Sequence, residues 1–144
     1  MHESLKLDNQ LCFRLYTASR LVTQAYRPLL DKLKITYPQY LVMLILWESD
    51  NVCISTITER LLLETNTVTP LLKRMEDLGL IKRMPSKEDA RQKIISLTTK
   101  GRKLQDKAKE VPTCLVSEMA KRNVDLQGLS SITPILDNLI HALQ

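Results

Sequence analysis

The feature that most restricts the fold is a change of apolar period between residues 54 and 97. Ile54 to Leu61 reads as a short helix. Thr65 suits the N-cap of a second helix from Asn66 to Leu78, in which Val68, Leu71, Leu72, Met75 and Leu78 recur at helical spacing. Gly79 stands where a helix ends in a left-handed residue. Directly afterwards Leu80–Met84 and Lys93–Leu97 read as short strands around the polar loop Pro85–Gln92. Two helices with a tight break, followed by a basic hairpin, predict a winged helix-turn-helix with a small β-hairpin wing over residues 35–98.

The flanks are helical, so the fold class is mainly α. Asp8 is expected to cap a long first helix whose stripe runs Leu11, Leu15, Ala18, Val22, Ala25, Leu29 and Leu33. Tyr37-Pro38 opens a strongly apolar helix ending near Trp47-Glu48, and Asp50-Asn51 breaks the pattern. After Thr98 a long helix presents Leu104, Ala108, Val111, Leu115 and Met119, with Pro112 expected to kink it or end its first half. The tail repeats Leu129, Ile132, Leu136, Leu139 and Leu143 as a narrow seam suited to another helix. Five or six helices are predicted in one domain, residues 1–144. A winged helix of about 50 residues cannot cover the apolar faces of both ends, so residues 1–34 and 99–144 are expected to pack against a second copy as a homodimer.

Composition narrows the function. The longest wholly apolar run, Leu41 to Trp47, is far short of the roughly 20 residues of a membrane span, so no membrane role is expected. Met1 to Asp8 holds no apolar signal core, which points to the cytoplasm. Three widely spaced cysteines do not form a disulfide framework or a zinc site. His2 and His141 lie at opposite ends, so neither a metal cluster nor a Cys-His nucleophile is suggested. No cofactor, no metal and no catalytic set is expected, and the chain is read as a non-enzyme.

Charge is more informative. Residues 65–109 carry twelve lysines and arginines against five acids, a net +7, which leaves −2 for the rest of the chain. Positive charge confined to one segment is the footprint of a nucleic-acid surface. Phe13, Tyr16, Tyr26, Tyr37, Tyr40 and Trp47 all precede residue 48, away from that segment. A single-strand binder interleaves aromatics with its cations, so double-stranded DNA is the expected partner. Thr65, Thr67, Lys73 and Arg74 are placed to face the major groove and its phosphates. At the wing, Arg91 is expected in the minor groove, with Lys87 and Lys93 on the backbone. A two-fold dimer implies a pseudo-palindromic operator with half-sites about one helical turn apart.

At the wing, Asp89-x-Arg91-x-x-x-Ile95-x-Leu97-Thr98, followed by Gly101, resembles the signature of MarR-family winged-helix regulators, with Ile95 in place of a leucine. In that motif Asp89 is expected to hold the Arg91 guanidinium in a fixed fork. Three N-terminal segments, Asp8-Asn9-Gln10-Leu11-Cys12-Phe13, Tyr26-Arg27-Pro28-Leu29-Leu30 and Ile35-Thr36-Tyr37-Pro38-Gln39-Tyr40, resemble the organic-hydroperoxide-sensing OhrR branch, as does Thr67–Arg74. The resemblance implies that Cys12 is the reactive cysteine and that Tyr26 and Tyr37 hydrogen-bond its sulfur. Peroxides attack thiolate rather than thiol, so a sensor needs neighbours that favour the anion. The amide end of the first helix and two phenol donors would supply them.

OhrR-type proteins come in two kinds, one with a single working cysteine and one in which a second cysteine from the partner subunit resolves the first. Cys114 is the residue placed for that second role, with a low-molecular-weight thiol as the other option. Cys53 lies in the winged-helix half and is read as without redox function. The implied function is a repressor that senses organic hydroperoxides through Cys12 and then leaves its operator. Two other readings stay open: release by a small aromatic ligand with Cys12 structural, and a thiol peroxidase without DNA binding.

Overall fold

The structure is a computed structural model that describes residues 1–144. It falls into two compact units, Met1–Lys109 and Glu110–Gln144. No helix is long and apolar enough to cross a membrane.

The first unit opens with two 3-10 turns, Glu3–Leu5 and Leu7–Asn9, ahead of helix α1 (Leu11–Asp31). Asp8 therefore does not cap α1 as expected. It is absorbed in the second turn, and the N-cap is Gln10, which makes no side-chain cap bond. Gln10 instead folds back to donate its amide to the Ser4 carbonyl, 2.6 Å away, while Asn9 donates to Glu3 at 2.7 Å. Of the α1 stripe and its continuation, Leu33 is buried, but Leu11 is 69% exposed and Val22 also faces solvent.

Helix α2 (Tyr37–Glu48) starts at a reciprocal cap: the Gln39 amide donates to Thr36 Oγ1 and the Thr36 amide to Gln39 Oε1. Val42, Met43, Ile45 and Leu46 are all buried, as suits an apolar helix through the middle of the core. Strand β1 (Val52–Cys53) leads into α3 (Ile54–Leu61), which ends at Leu62 with φ 54°. Helix α4 (Thr65–Asp77) follows. Its N-cap is Glu64 rather than Thr65, without a side-chain cap bond, so Thr65 is the first helical residue. At its other end Gly79, at φ 75°, donates to Glu76 and Leu80 donates to Met75, the paired bonds that close a helix on a left-handed glycine.

The wing consists of β2 (Ile81–Pro85) and β3 (Lys93–Leu97), antiparallel with Ile81 opposite Leu97 and Pro85 opposite Lys93. The hairpin is one part of a three-stranded sheet of order β1-β3-β2, in which Val52 pairs with Ile95. Sequence patterning passes over β1, because two residues carry no readable alternation. Its existence depends on the free edge of β3, and Ser96 Oγ donating to Asn51 Oδ1 at 2.7 Å fastens the corner.

Helix α5 (Thr99–Ala108) completes the first unit, and the wing signature has a structural half here. Thr98 caps α5 by accepting from the Gly101 amide and donates to the Gly79 carbonyl at 2.6 Å. Gly101 packs so closely that a Cβ would run into the Leu80 carbonyl oxygen. Its own carbonyl accepts from Trp47 Nε1 at 3.0 Å. Thr98 and Gly101 thus clamp the wing's root to the end of α4.

The second unit holds α6 (Val111–Lys121), α7 (Leu126–Ser131) and α8 (Thr133–Leu143). Pro112 stands in the first turn of α6, so the long helix is divided there. The C-terminal seam, expected as one helix, is also divided, because Pro134 opens α8. With eight α-helices the chain exceeds the five or six predicted. Along α8, Ile135, Leu139, Ile140 and Leu143 are exposed.

Candidate functional site

Helix α4 turns Val68, Leu71, Leu72 and Met75 into the core, which fixes the opposite face outward. Thr65, Thr67, Lys73 and Arg74 are all exposed on it. Asn66, in the first turn, shares that exposure. Sequence periodicity passes over it, although its place between two threonines at a helix start is a usable signal, and an amide can pair with an adenine edge. The carboxylate of Glu76 fastens α4 to the wing: it accepts from the Arg83 amide at 3.2 Å and from Arg83 Nη2 at 3.3 Å. Asp50 does the same for the wing's other end, accepting from the Leu97 amide at 2.9 Å and from Arg102 Nη2 at 3.2 Å.

At the wing tip the expected fork does not form. Asp89 Oδ1 accepts the backbone amide of Arg91 at 3.0 Å and meets its Nε once, at 3.5 Å. The guanidinium is left 93% exposed. Asp89 therefore shapes the turn, and Arg91 projects from it unencumbered. Lys87 and Lys93 flank the same loop and are exposed.

The thiols lie elsewhere. Cys12 is the second residue of α1 and is exposed. Tyr26 lies on the same helix, so fourteen residues of rise separate them by about 21 Å. Within one chain the expected sulfur–phenol contact is therefore excluded, and the structure contains no hydrogen bond between Cys12 and Tyr26 or Tyr37. What forms instead is a ring cluster: Tyr26 and Tyr37 have centroids 4.9 Å apart, and Tyr40 lies 5.8 Å from Tyr26. Burial, then the neighbouring Tyr37 and Tyr40, push the Tyr26 phenol above its ordinary range. Burial and Tyr37 do the same to Tyr40. Both hydroxyls accordingly stay protonated, as hydrogen-bond donors must. Cys114 is exposed in the first turns of α6, in the second unit. Cys53 is half-buried in β1, its Sγ 3.7 Å from Gln92 Oε1.

The sequence profile described as transcriptional regulator SarA/Rot matches residues 24–108, which span α1 from its second half through α5. The chain belongs to this family of transcriptional regulators. It is 46% identical over 139 residues to the organic hydroperoxide resistance transcriptional regulator of Bacillus subtilis, covering 96% of this chain and 95% of that protein. Among solved structures it resembles reduced AbfR bound to DNA, at 37% identity, TM-score 0.78 and 99% of both chains. It also resembles AbfR with its disulfide formed, at 39% identity, TM-score 0.66, and 96% and 95% of the two chains. AbfR is a protein of Staphylococcus epidermidis. MarR of E. coli with operator DNA shares the fold, at TM-score 0.80 and 20% identity over 90% of this chain and 92% of that one. The winged-helix fold class and the regulator family expected from the sequence are therefore borne out.

Proposed function

We propose that this family member is a cytoplasmic, homodimeric repressor that holds a pseudo-palindromic operator when reduced and releases it when organic hydroperoxide oxidises Cys12. It acts as a regulator rather than as an enzyme. The observation that carries the reading is an exposed cysteine at the amide end of α1, in a chain whose α4 and wing present a basic face to DNA. The 46% identity to a regulator of organic hydroperoxide resistance supports the choice of oxidant.

The 21 Å between Cys12 and Tyr26 becomes an argument about assembly. If two α1 helices cross antiparallel on a two-fold axis near Ser19, Cys12 of one protomer falls opposite the partner's Tyr26. Ser19 lies seven residues from each, and Ala18 beside it lets the helices approach closely. The exposed Leu11 and Val22 are on the face such a crossing would bury. In this reading the tyrosine cluster donates to the sulfur across the dimer.

Chemically, the Cys12 thiolate attacks the peroxide oxygen, giving a sulfenate and the corresponding alcohol. The sulfenic acid then condenses with a thiol, Cys114 of the partner in our reading, forming a disulfide and releasing water. Drawing Cys12 out of its contacts shifts the two reading heads, and losing either half-site forfeits the bivalent advantage. DNA contacts are assigned to Thr65, Thr67, Lys73 and Arg74 on α4 and to Lys87, Arg91 and Lys93 at the wing, with Asp89 shaping the tip. Non-reducing electrophoresis after hydroperoxide treatment tests the disulfide. A covalent dimer lost in both Cys12→Ser and Cys114→Ser is expected. A chain that stays monomeric on the gel while carrying a sulfenate or a small-thiol adduct would reassign it to the single-cysteine kind.

A further inference from the structure

A cavity of about 500 Å³ lies in the first unit between the end of α1 and helix α5. Its walls carry five lysines, Lys32, Lys34, Lys100, Lys103 and Lys107, and no acidic side chain; Leu33, Leu104 and Thr99 complete them. Two segments more than sixty residues apart in sequence thus converge five like charges on one hollow. Such convergence is unfavourable unless something offsets it. None of the five forms a salt bridge, and the carboxylates that pair elsewhere serve Lys6, Arg60, Arg83, Arg91, Arg102 and Lys121. Lys100 is held in place by donating to the Leu78 carbonyl at 2.7 Å. The other four ammonium groups are free to close on a guest. The amino end of α5 also opens at this cavity through Thr99, adding the positive pole of a helix.

From this geometry we infer a binding site for a small, multiply charged phosphate-bearing anion, separate from the DNA-reading face. The volume is that of an ordinary small-ligand pocket. A polyphosphate offers several charged oxygens to several ammonium groups at once, and lysine binds phosphate as such a point charge. The same surface of a second copy is a poor occupant, because it would bring five more like charges to the hollow. DNA already on α4 is also disfavoured. Lys100 reaches the carboxyl end of that helix, thirteen residues or about 20 Å from Thr65 and eleven or about 16 Å from Thr67, with Lys73 and Arg74 in between.

The test is calorimetric titration of the full-length reduced protein with sodium tripolyphosphate at low salt, in the wild type, in Lys32→Gln/Lys103→Gln/Lys107→Gln and in Arg91→Ala. The site predicts saturable binding of one anion per chain. It predicts a loss of about tenfold or more in the triple variant, since three charge-assisted bonds go, and less than twofold in Arg91→Ala. Circular dichroism establishes that the triple variant is folded, and Lys103→Gln alone, expected to weaken binding about threefold, serves if it is not. Equal affinity in all three proteins, or a loss in Arg91→Ala matching that of the triple variant, would overturn the site. So would a triple variant that binds tripolyphosphate normally but loses affinity for duplexes extended beyond the half-sites, which would make these lysines contacts to flanking DNA.

Discussion

Replacing Arg91 by alanine isolates the wing's contribution to DNA binding, because in the free protein the side chain does so little. It is 93% exposed, and its one side-chain partner is Asp89 at 3.5 Å. The turn itself is held by bonds that alanine keeps: Arg91 N to Asp89 Oδ1 at 3.0 Å, Gln92 N to the Asp89 carbonyl at 3.0 Å, and Ser86 N to the Gln92 carbonyl at 2.8 Å. The melting temperature should therefore not move, and any change in affinity belongs to the interface. A guanidinium entering the minor groove is worth about 1–3 kcal/mol, or roughly 5- to 150-fold in Kd. It also displaces about one counterion per wing, so the slope of log affinity against log salt should fall by about 0.9 for each wing engaged. For a single wing, the gap between wild type and variant then shrinks about 3.5-fold between 50 and 200 mM salt. Fluorescence anisotropy of a labelled operator duplex over that range measures both quantities. Parallel salt lines with unchanged affinity would remove Arg91 from the interface.

Other consequences follow from the same geometry. Gly101→Ala should destabilise the chain by about 1–3 kcal/mol in urea unfolding, because the new methyl group meets the Leu80 carbonyl oxygen and Trp47 loses its alignment on the Gly101 carbonyl. An unchanged midpoint would show that the wing root is looser than drawn. A mixed dimer of one Cys12→Ser chain and one Tyr26→Phe/Tyr37→Phe chain distinguishes action across the dimer from action within a chain. Contact across the two-fold places the single remaining Cys12 in a complete site, so it should react with hydroperoxide at the wild-type rate. If that Cys12 reacts slowly, the phenols act within their own chain and the crossing near Ser19 is wrong.

Local signals made most of the reading head legible. Tyr37-Pro38 opens α2, Gly79 closes α4, and the spacing of Val68, Leu71, Leu72 and Met75 fixes which side of α4 faces outward. Where prediction failed, a longer-range partner had decided the matter. Asp8 lost its capping role to a 3-10 turn stabilised by Asn9 and Gln10 reaching back to Glu3 and Ser4. Strand β1 exists because β3 offers an edge, not because Val52-Cys53 has any pattern of its own. The expected contact of Cys12 with Tyr26 failed within the chain because α1 runs unbroken from Leu11 to Asp31, a length that the spacing of the two residues does not announce. The lysine cavity was invisible for a related reason: Lys32 and Lys34 look like an ordinary solvated helix end until folding sets them opposite α5.

Redox-controlled release through Cys12 is tested most directly by the effect of its oxidation on operator affinity. Anisotropy titrations of reduced protein, with and without stoichiometric cumene hydroperoxide, should be run on the wild type and on Cys12→Ser. The wild type should bind tightly when reduced and lose at least about tenfold on oxidation, or about 1.4 kcal/mol, while Cys12→Ser binds equally well under both conditions. Release of the Cys12→Ser variant by hydroperoxide, or retention of the operator by fully oxidised wild type, would contradict it.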